Sequence, residues 1–122
     1  MKIHTSLYLI LSLMFLTQCN SSTDPDLKHE LIAVNIKSTD VYEYRTGIAG
    51  DEDGASIIQQ ARHFEISEII RNADTGWEPV YRYKPESGFF GSDYVELQLS
   101  TGSDGASPPK RIELIKIEFR VD

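Results

Sequence analysis

Residues 83–104 read YKPESGFFGSDYVELQLSTGSD, and this stretch decides the fold class. In its second half the apolar residues Val95, Leu97 and Leu99 alternate with polar ones, which is the period-two pattern of a β-strand with one buried face. The glycines in its first half allow the positive φ angles of a tight connection. The stretch therefore predicts two strands joined by a turn, in which Asp93 accepts backbone N–H groups.

The same alternation recurs over most of the chain after position 28. Gly, Asp, Asn and Pro residues separate the runs, as expected for turns between short strands. The segment ASIIQQA at 55–61 is the only one that predicts a helical turn, and a change of parity near Leu114 and Ile115 predicts a β-bulge. About seven short strands, each with one polar face, are typical of an all-β, antiparallel β-sandwich, here over residues 29–122. The alternating runs lie at 32–36, 41–45, 64–67, 80–83, 94–99 and 115–121.

The stretch at 83–104 resembles the bacterial Ig-like, cadherin-like repeats of cell-surface proteins. Their pattern is Tyr-x-Pro, a short turn, Gly-Phe-x-Gly-x-Asp, an alternating strand, and an Asp-Gly turn before the last strand. The resemblance implies an Ig-like sandwich and a part in adhesion or binding. The positions that match are Tyr83, Pro85, Gly88, Phe89, Gly91 and Asp93.

The N-terminus predicts export and lipid attachment. The apolar run at 7–16 is shorter than the roughly 20 residues that cross a bilayer, and it fits the central region of a signal peptide. Leu-Thr-Gln-Cys at 16–19 resembles a bacterial lipobox, which implies that Cys19 is acylated and begins the mature chain. We therefore expect a signal peptide at 1–18, a lipidated tether at 19–28, and a place at the outer membrane of a Gram-negative-type envelope. Whether the domain faces the periplasm or the cell surface is left open.

Composition excludes several classes of protein. Lys and Arg number 12 against 19 Asp and Glu, so the net charge is −7. Nucleic-acid binders need clustered basic residues, and an acidic domain is repelled by anionic headgroups. One cysteine in the chain rules out a disulfide framework. The expected partners are therefore a protein or a glycan, with membrane contact only through the N-terminal lipid.

The sequence contains few residues that indicate a metal site. The acidic loop GDEDG at 50–54 contains Asp51, Glu52 and Asp53, and hard cations such as Ca²⁺ prefer several carboxylate oxygens on a flexible loop. The alternative is a solvated loop, because the spacing lacks the later glutamate of an EF-hand. His63 has no histidine or cysteine companion at ligand spacing. We therefore expect no cofactor, with Ca²⁺ as the one metal to consider.

Aromatic residues supply the candidate contacts. Tyr42 and Tyr44 share one face by period two, and an exposed pair of this kind can stack on a sugar or grip a protein. Tyr94 is expected to face outward because its neighbour Val95 faces inward. The aromatic residues expected to fill the core are Trp77, Tyr81 and Tyr83.

The sequence carries no signature of catalysis. It has no Gly-x-Ser-x-Gly elbow, and acylation of Cys19 would consume its one thiol. We therefore expect a protein that is not an enzyme, acting as a lipid-anchored binding or adhesion module. The alternative is a structural accessory subunit of an outer-membrane protein complex.

Overall fold

The structure, a computed structural model, describes residues 25–122 and arranges them as seven strands in two sheets. The prediction of an all-β sandwich of about seven strands is therefore confirmed. The signal peptide at 1–18 and the acylated Cys19 lie outside the described residues. In chain order the strands are β1 (Asp26–Ile36), β2 (Tyr42–Arg45), β3 (Gly54–Gln59), β4 (Phe64–Ile70), β5 (Val80–Pro85), β6 (Gly91–Thr101) and β7 (Arg111–Val121).

The larger sheet has the order β1-β7-β6-β3 and the smaller one has the order β2-β5-β4. This is the strand order of an Ig-like sandwich, in which the second, fifth and fourth strands form one sheet. Every pair is antiparallel as expected except β1 and β7, which are parallel. The exception follows from the topology. Each connection reverses the chain, so the odd-numbered first and last strands run the same way.

The core forms where the two sheets face each other. Tyr81 and Tyr83 of β5 are fully buried, as predicted. The Tyr83 ring stacks on Phe119 of β7 with their centroids 3.9 Å apart, and the Tyr42 ring meets Phe119 edge-on at 5.5 Å. Aromatic pairs in this geometry add to the stability gained by burying their surface. The other core residues of the long strands are Val95, Leu97, Leu99, Ile115, Ile117 and Val121.

The predicted helical turn at 55–61 is wrong, because most of this segment forms β3. Ala55 and Ile57 point into the sandwich and pair with Leu99 and Leu97 of β6. A seven-residue helix gains little without a partner surface, whereas the strand completes a sheet. Pairing with β6 therefore overrides the local pattern.

The predicted bulge at Leu114 and Ile115 is also wrong, since the β6–β7 register runs unbroken from Gly91 to Thr101. Leu114 is half-buried on the outer face of the larger sheet, so the change of parity marks an apolar outer face. The register instead shifts in two edge strands, at Ile57/Gln59 of β3 and at Phe64/Ile66 of β4.

The folded domain begins before the predicted boundary at residue 29. Strand β1 starts at Asp26, whose N–H donates to the carbonyl of Lys110 at 2.9 Å. Residues 26–28 therefore belong to the sandwich and not to the tether. The alternation misses them because only the later part of β1 carries apolar side chains on the core face.

Alkaline pH is expected to unfold the domain through its tyrosines. Burial raises the pKa of Tyr42, Tyr81 and Tyr83, and it raises the pKa of Tyr44 to about 12. A folded pKa above the unfolded value of about 10 means that the unfolded chain loses these protons first. The tyrosine contribution to the free energy of unfolding should therefore stay constant below about pH 10 and fall as the pH rises above that value.

Urea unfolding at pH 8, 9, 10 and 11 measures this fall, and absorbance at 295 nm reports tyrosinate. Ionisation of the buried tyrosines should coincide with unfolding. The Tyr44→Phe variant should show a shallower fall. A free energy of unfolding that stays constant to pH 11 would contradict the assignment.

Candidate binding site

Three loops meet at one end of the sandwich. Strands β2, β4 and β6 end there. Strand β5, which pairs with β2 and β4, and strand β7, which pairs with β6, begin there. The loops are residues 46–53, 71–79 and 102–110, and we call this region the three-loop end. Loops grouped at one end of a sandwich carry recognition in many Ig-like proteins.

Arg71 joins two of these loops. It follows directly after β4, and its guanidinium donates hydrogen bonds to three backbone carbonyls. The distances are 2.7 Å to Trp77, 2.6 Å to Asp53 and 2.8 Å to Gly50. The planar, five-donor guanidinium suits such a bridge, which a lysine ammonium would not reproduce. Sequence reasoning missed this role because charge and spacing do not reveal a contact across 18 residues of chain.

The loop at 102–110 is held in two ways. Asp53 accepts the N–H of Gly102 at 3.2 Å, which ties this loop to the first one. Within the loop, the carboxylate of Asp104 accepts the N–H groups of Ala106 at 3.0 Å and Ser107 at 2.7 Å. These donors hold the pKa of Asp104 below its ordinary value. The third loop is therefore folded on itself as well as tied to its neighbour.

Glu78 also links the first two loops through its side chain. Its carboxylate accepts the N–H of Gly47 at 2.7 Å and pairs with Arg45 at 2.9 Å. The Gly47 N–H is the main cause that lowers the pKa of Glu78. Beside it, the Thr46 hydroxyl donates to the carbonyl of Pro79 at 2.8 Å. Hydrogen bonds therefore connect the loops of the three-loop end to one another.

The position of Trp77 at this end differs from the one that the sequence predicts. Trp77 was predicted to lie in the core, and that prediction is wrong, because 61% of the residue is exposed. It stands in the β4–β5 loop, where its N–H donates to the carbonyl of Asn72 at 2.8 Å. Strand β5 begins only at Val80, so the period-two relation to Tyr81 does not extend back to Trp77. The chain therefore displays its one tryptophan to solvent.

The backbone at Trp77 is also strained. The φ angle of Trp77 is +63°, and that of the preceding Gly76 is +65°. Trp77 is the only non-glycine residue with a positive φ among residues 25–122. A bulky side chain in this region costs about 1 kcal/mol or more. Such strain persists where the surrounding structure enforces it, and here Arg71 holds the Trp77 carbonyl. Exposure and strain together make Trp77 a candidate contact residue, and the turn residues just before it, at 72–76, are the sequence signal that could have found it.

The acidic loop belongs to the three-loop end, but its geometry does not favour a cation. The side chains of Asp51 and Glu52 are exposed, and Asp53 is engaged with Gly102. The guanidinium of Arg71 occupies two carbonyls of this loop and would repel a cation. Within residues 25–122 no group of three or more His, Cys, Asp or Glu side chains is arranged to hold a metal ion.

The opposite end of the sandwich is built around Asp93, which is 6% exposed. One carboxylate oxygen accepts the N–H groups of Arg62 and Tyr94, both at 2.9 Å. The other accepts the N–H of His63 at 2.9 Å and the hydroxyl of Tyr83 at 3.0 Å. Asp93 is thus the backbone acceptor that the sequence predicts, and it binds the β3–β4 connection as well as its own strand.

The other residues of the 83–104 motif have structural roles around Asp93. Pro85 is buried at the end of β5, and Gly88 and Gly91 have φ angles of +79° and +131°. The half-buried Phe89 ring stacks on His63 with centroids 4.3 Å apart. These residues fix the β5–β6 connection, and none of them is displayed for binding.

The tyrosines proposed as contacts lie in two places. Tyr42 and Tyr44 are half-buried with their rings against the core, so they do not form an exposed stripe. Tyr94 faces outward as predicted, with the Lys116 ammonium 4.7 Å from its ring centroid. It lines an open groove of about 350 Å³ on the outer face of the larger sheet, together with Asn35 and Arg120.

Three comparisons with known proteins give a weak structural similarity. No family model and no curated protein matches the chain. Among solved structures it is similar to a cysteine protease inhibitor from Entamoeba histolytica, at 14% identity and a TM-score of 0.46. That match covers 80% of this chain and 100% of the inhibitor. Over residues 25–122 we find no helix of the length and apolar character that a membrane crossing requires.

Proposed function

We propose that this protein is a lipid-anchored, non-catalytic binding module of a bacterial envelope that recognises a protein with its three-loop end. The observation that carries the proposal is Trp77, an exposed tryptophan held in a strained backbone conformation. Tryptophan is enriched among the few residues that dominate binding energy at protein interfaces. The Ig-like strand order and the resemblance at 83–104 to bacterial surface repeats agree with this role.

The order of the three-loop end favours tight recognition. Arg71, Glu78 and Asp53 connect the loops through hydrogen bonds of 2.6 to 3.2 Å. A surface that is already fixed loses less conformational entropy when a partner binds. A protruding ring on a loop fits a pocket in a protein better than it fits a sugar, which usually sits in a concave groove. We therefore favour a protein ligand over a glycan.

One observation favours the second candidate, an accessory subunit of an outer-membrane complex. The first strand begins at the three-loop end, because Asp26 donates to the carbonyl of Lys110 there. With Cys19 acylated, the roughly six intervening residues span at most about 20 Å. The three-loop end would then stay close to the membrane, where a membrane protein is the nearest partner.

Site-specific photo-crosslinking tests the proposal in intact cells that produce the full chain. Because binding is expected to need the indole of Trp77, a photoreactive residue replaces the exposed Ala73 of the same loop in one variant and Phe90 in the control. Phe90 is 66% exposed and lies in the connection at the opposite end. We expect one discrete adduct from position 73 and none from position 90.

The identity of the adduct separates the alternatives. An adduct with an envelope membrane protein indicates the accessory subunit, and an adduct formed only when an external protein is added indicates ligand capture. An adduct that a glycosidase removes would make the ligand a glycan. Absence of an adduct at 73, with the variant exported and folded, would overturn the proposal.

A further inference from the structure

Among the strands of residues 25–122, β1 presents an edge that no other strand pairs with. It is the first strand in the order of the larger sheet, and its other side pairs with β7 along 11 residues. The N–H of Asp26 and the carbonyl of Ile36 both bond to the β7 side. Even-numbered residues therefore direct their backbone groups toward β7, and odd-numbered residues direct theirs away from the sheet.

The other edges of the two sheets are protected against pairing. Strand β2 has only four residues, and register shifts interrupt β3 and β4. Short strands and bulges are common devices that keep edges from joining other chains. Over residues 25–122, β1 is the one edge strand that is both long and regular.

The sequence of β1 is self-complementary about His29. When a second copy lies antiparallel with His29 opposite His29, Leu27 faces Leu31 and Lys28 faces Glu30. Leu27 and Leu31 are exposed by 54% and 64%, and they share the outer face of the sheet. Lys28 and Glu30 share the other face, with side-chain relative exposures of 62% and 42%. Pairing therefore joins apolar residues on one face and opposite charges on the other.

We propose that a second copy of this chain pairs with the free edge of β1, antiparallel and centred on His29. The larger sheets of the two molecules then form one continuous eight-stranded sheet. The backbone supports this register, because odd-numbered residues of both copies direct their N–H and carbonyl groups at each other. Centring the pair on Leu31 instead would place Lys28 and Glu30 opposite apolar residues, so charge complementarity selects His29. This inference does not depend on the binding function of the three-loop end.

The antiparallel geometry of the pair also limits how the dimer can be oriented on a membrane. Antiparallel pairing places the two N-termini at opposite ends of the paired strands. If both chains are lipid-anchored, the strands lie along the membrane surface and the two three-loop ends project sideways. Such a dimer presents two copies of Trp77 at once, which raises avidity for a partner with two matching sites.

Cysteine cross-linking of the full chain in its membrane tests the register. At the centre of the pair the two Cα atoms of position 29 are about 5.5 Å apart, which suits a disulfide. The His29→Cys variant should therefore form a covalent dimer under mild oxidation. The Ala33→Cys variant, on the same face of the same strand, should not, and the unsubstituted chain is the background control.

Charge reversal tests the proposed pairs, and sedimentation of the full chain in mild detergent measures the dimer. Lys28→Glu and Glu30→Lys should each weaken dimerisation at least tenfold, because each one places like charges opposite. Since the Lys28 ammonium also donates to Glu113 of β7 in the same molecule at 2.8 Å, every variant with Lys28→Glu also carries Glu113→Gln. The double swap should restore the dimer, and a mixture of the two single variants should form a heterodimer. A monomer at all concentrations, equal cross-linking at positions 29 and 33, or a double swap that fails to restore pairing would overturn the proposal.

Discussion

Replacing Asp93 with alanine is expected to lower the free energy of unfolding by about 3–4 kcal/mol. The carboxylate accepts four hydrogen bonds, from the N–H groups of Arg62, His63 and Tyr94 and from the Tyr83 hydroxyl. A buried donor that loses its acceptor costs about 1–3 kcal/mol, and part of that cost is recovered when water enters the space left behind. Urea unfolding of the full chain in mild detergent measures the change.

Two further variants separate the causes. Asp93→Asn preserves the shape but replaces one acceptor oxygen with a donor amide, which then faces N–H or O–H donors. It should therefore lose about 2 kcal/mol despite its similar size. Tyr83→Phe removes one of the four donors and should lose about 1 kcal/mol. If Asp93→Ala lost less than 1 kcal/mol, the carboxylate would not organise this end.

The sheets were predictable because their signal is local and repeated. From Val95 to Leu99 in β6 and from Ile115 to Val121 in β7, each apolar residue is followed by a polar one, and the antiparallel register of the two strands turns both patterns toward one core. The role of Asp93 as an acceptor of backbone N–H groups also followed from its turn context. Its partners at 62 and 63 did not, because they lie about 30 residues away in another connection.

The wrong predictions share a physical cause, namely contacts that the local pattern does not contain. The segment at 55–61 forms β3 because β6 offers an edge to pair with. Leu114 breaks the alternation of β7 because the outer face of the larger sheet is partly apolar, with Leu27, Leu31 and Ile58 exposed as well. A single sequence shows which residues of a strand share a face, but the packing of the strands and sheets decides which face is buried.

The candidate site was predictable only in part. The acidic loop at 50–54 was recognised as a feature, and it does lie at the three-loop end. The interpretation as a calcium loop did not foresee Arg71, which holds the carbonyls of Gly50 and Asp53. The prediction that Trp77 lies in the core follows from its shared parity with Tyr81 and Tyr83, but β5 begins only at Val80. The position of Trp77 directly after the turn residues 72–76 was the better guide.

Replacing Trp77 is expected to weaken partner binding strongly while leaving the fold at least as stable as before. The ring is 61% exposed, so its removal costs little burial, whereas its loss from an interface centre costs about 2–4 kcal/mol, or roughly 30- to 1000-fold in affinity. Trp77→Asn is the first variant to make, because asparagine tolerates the positive φ found here. Affinity is measured against the partner identified by cross-linking, with Phe90→Ser as the control at the opposite end.

A comparison of three substitutions separates the ring from the backbone. Trp77→Gly relieves the strain at φ +63° and should raise the free energy of unfolding by about 0.5 kcal/mol, whereas Trp77→Ala retains the strain and should leave it unchanged. All three variants should lose binding to the same extent, because each lacks the indole. A loss of more than 2 kcal/mol of stability in all three would mean that the ring serves the fold. Equal affinity in the wild type and Trp77→Asn would place the binding surface elsewhere. The expected combination, unchanged or higher stability with binding lost, is characteristic of a residue kept strained and exposed for the sake of a partner.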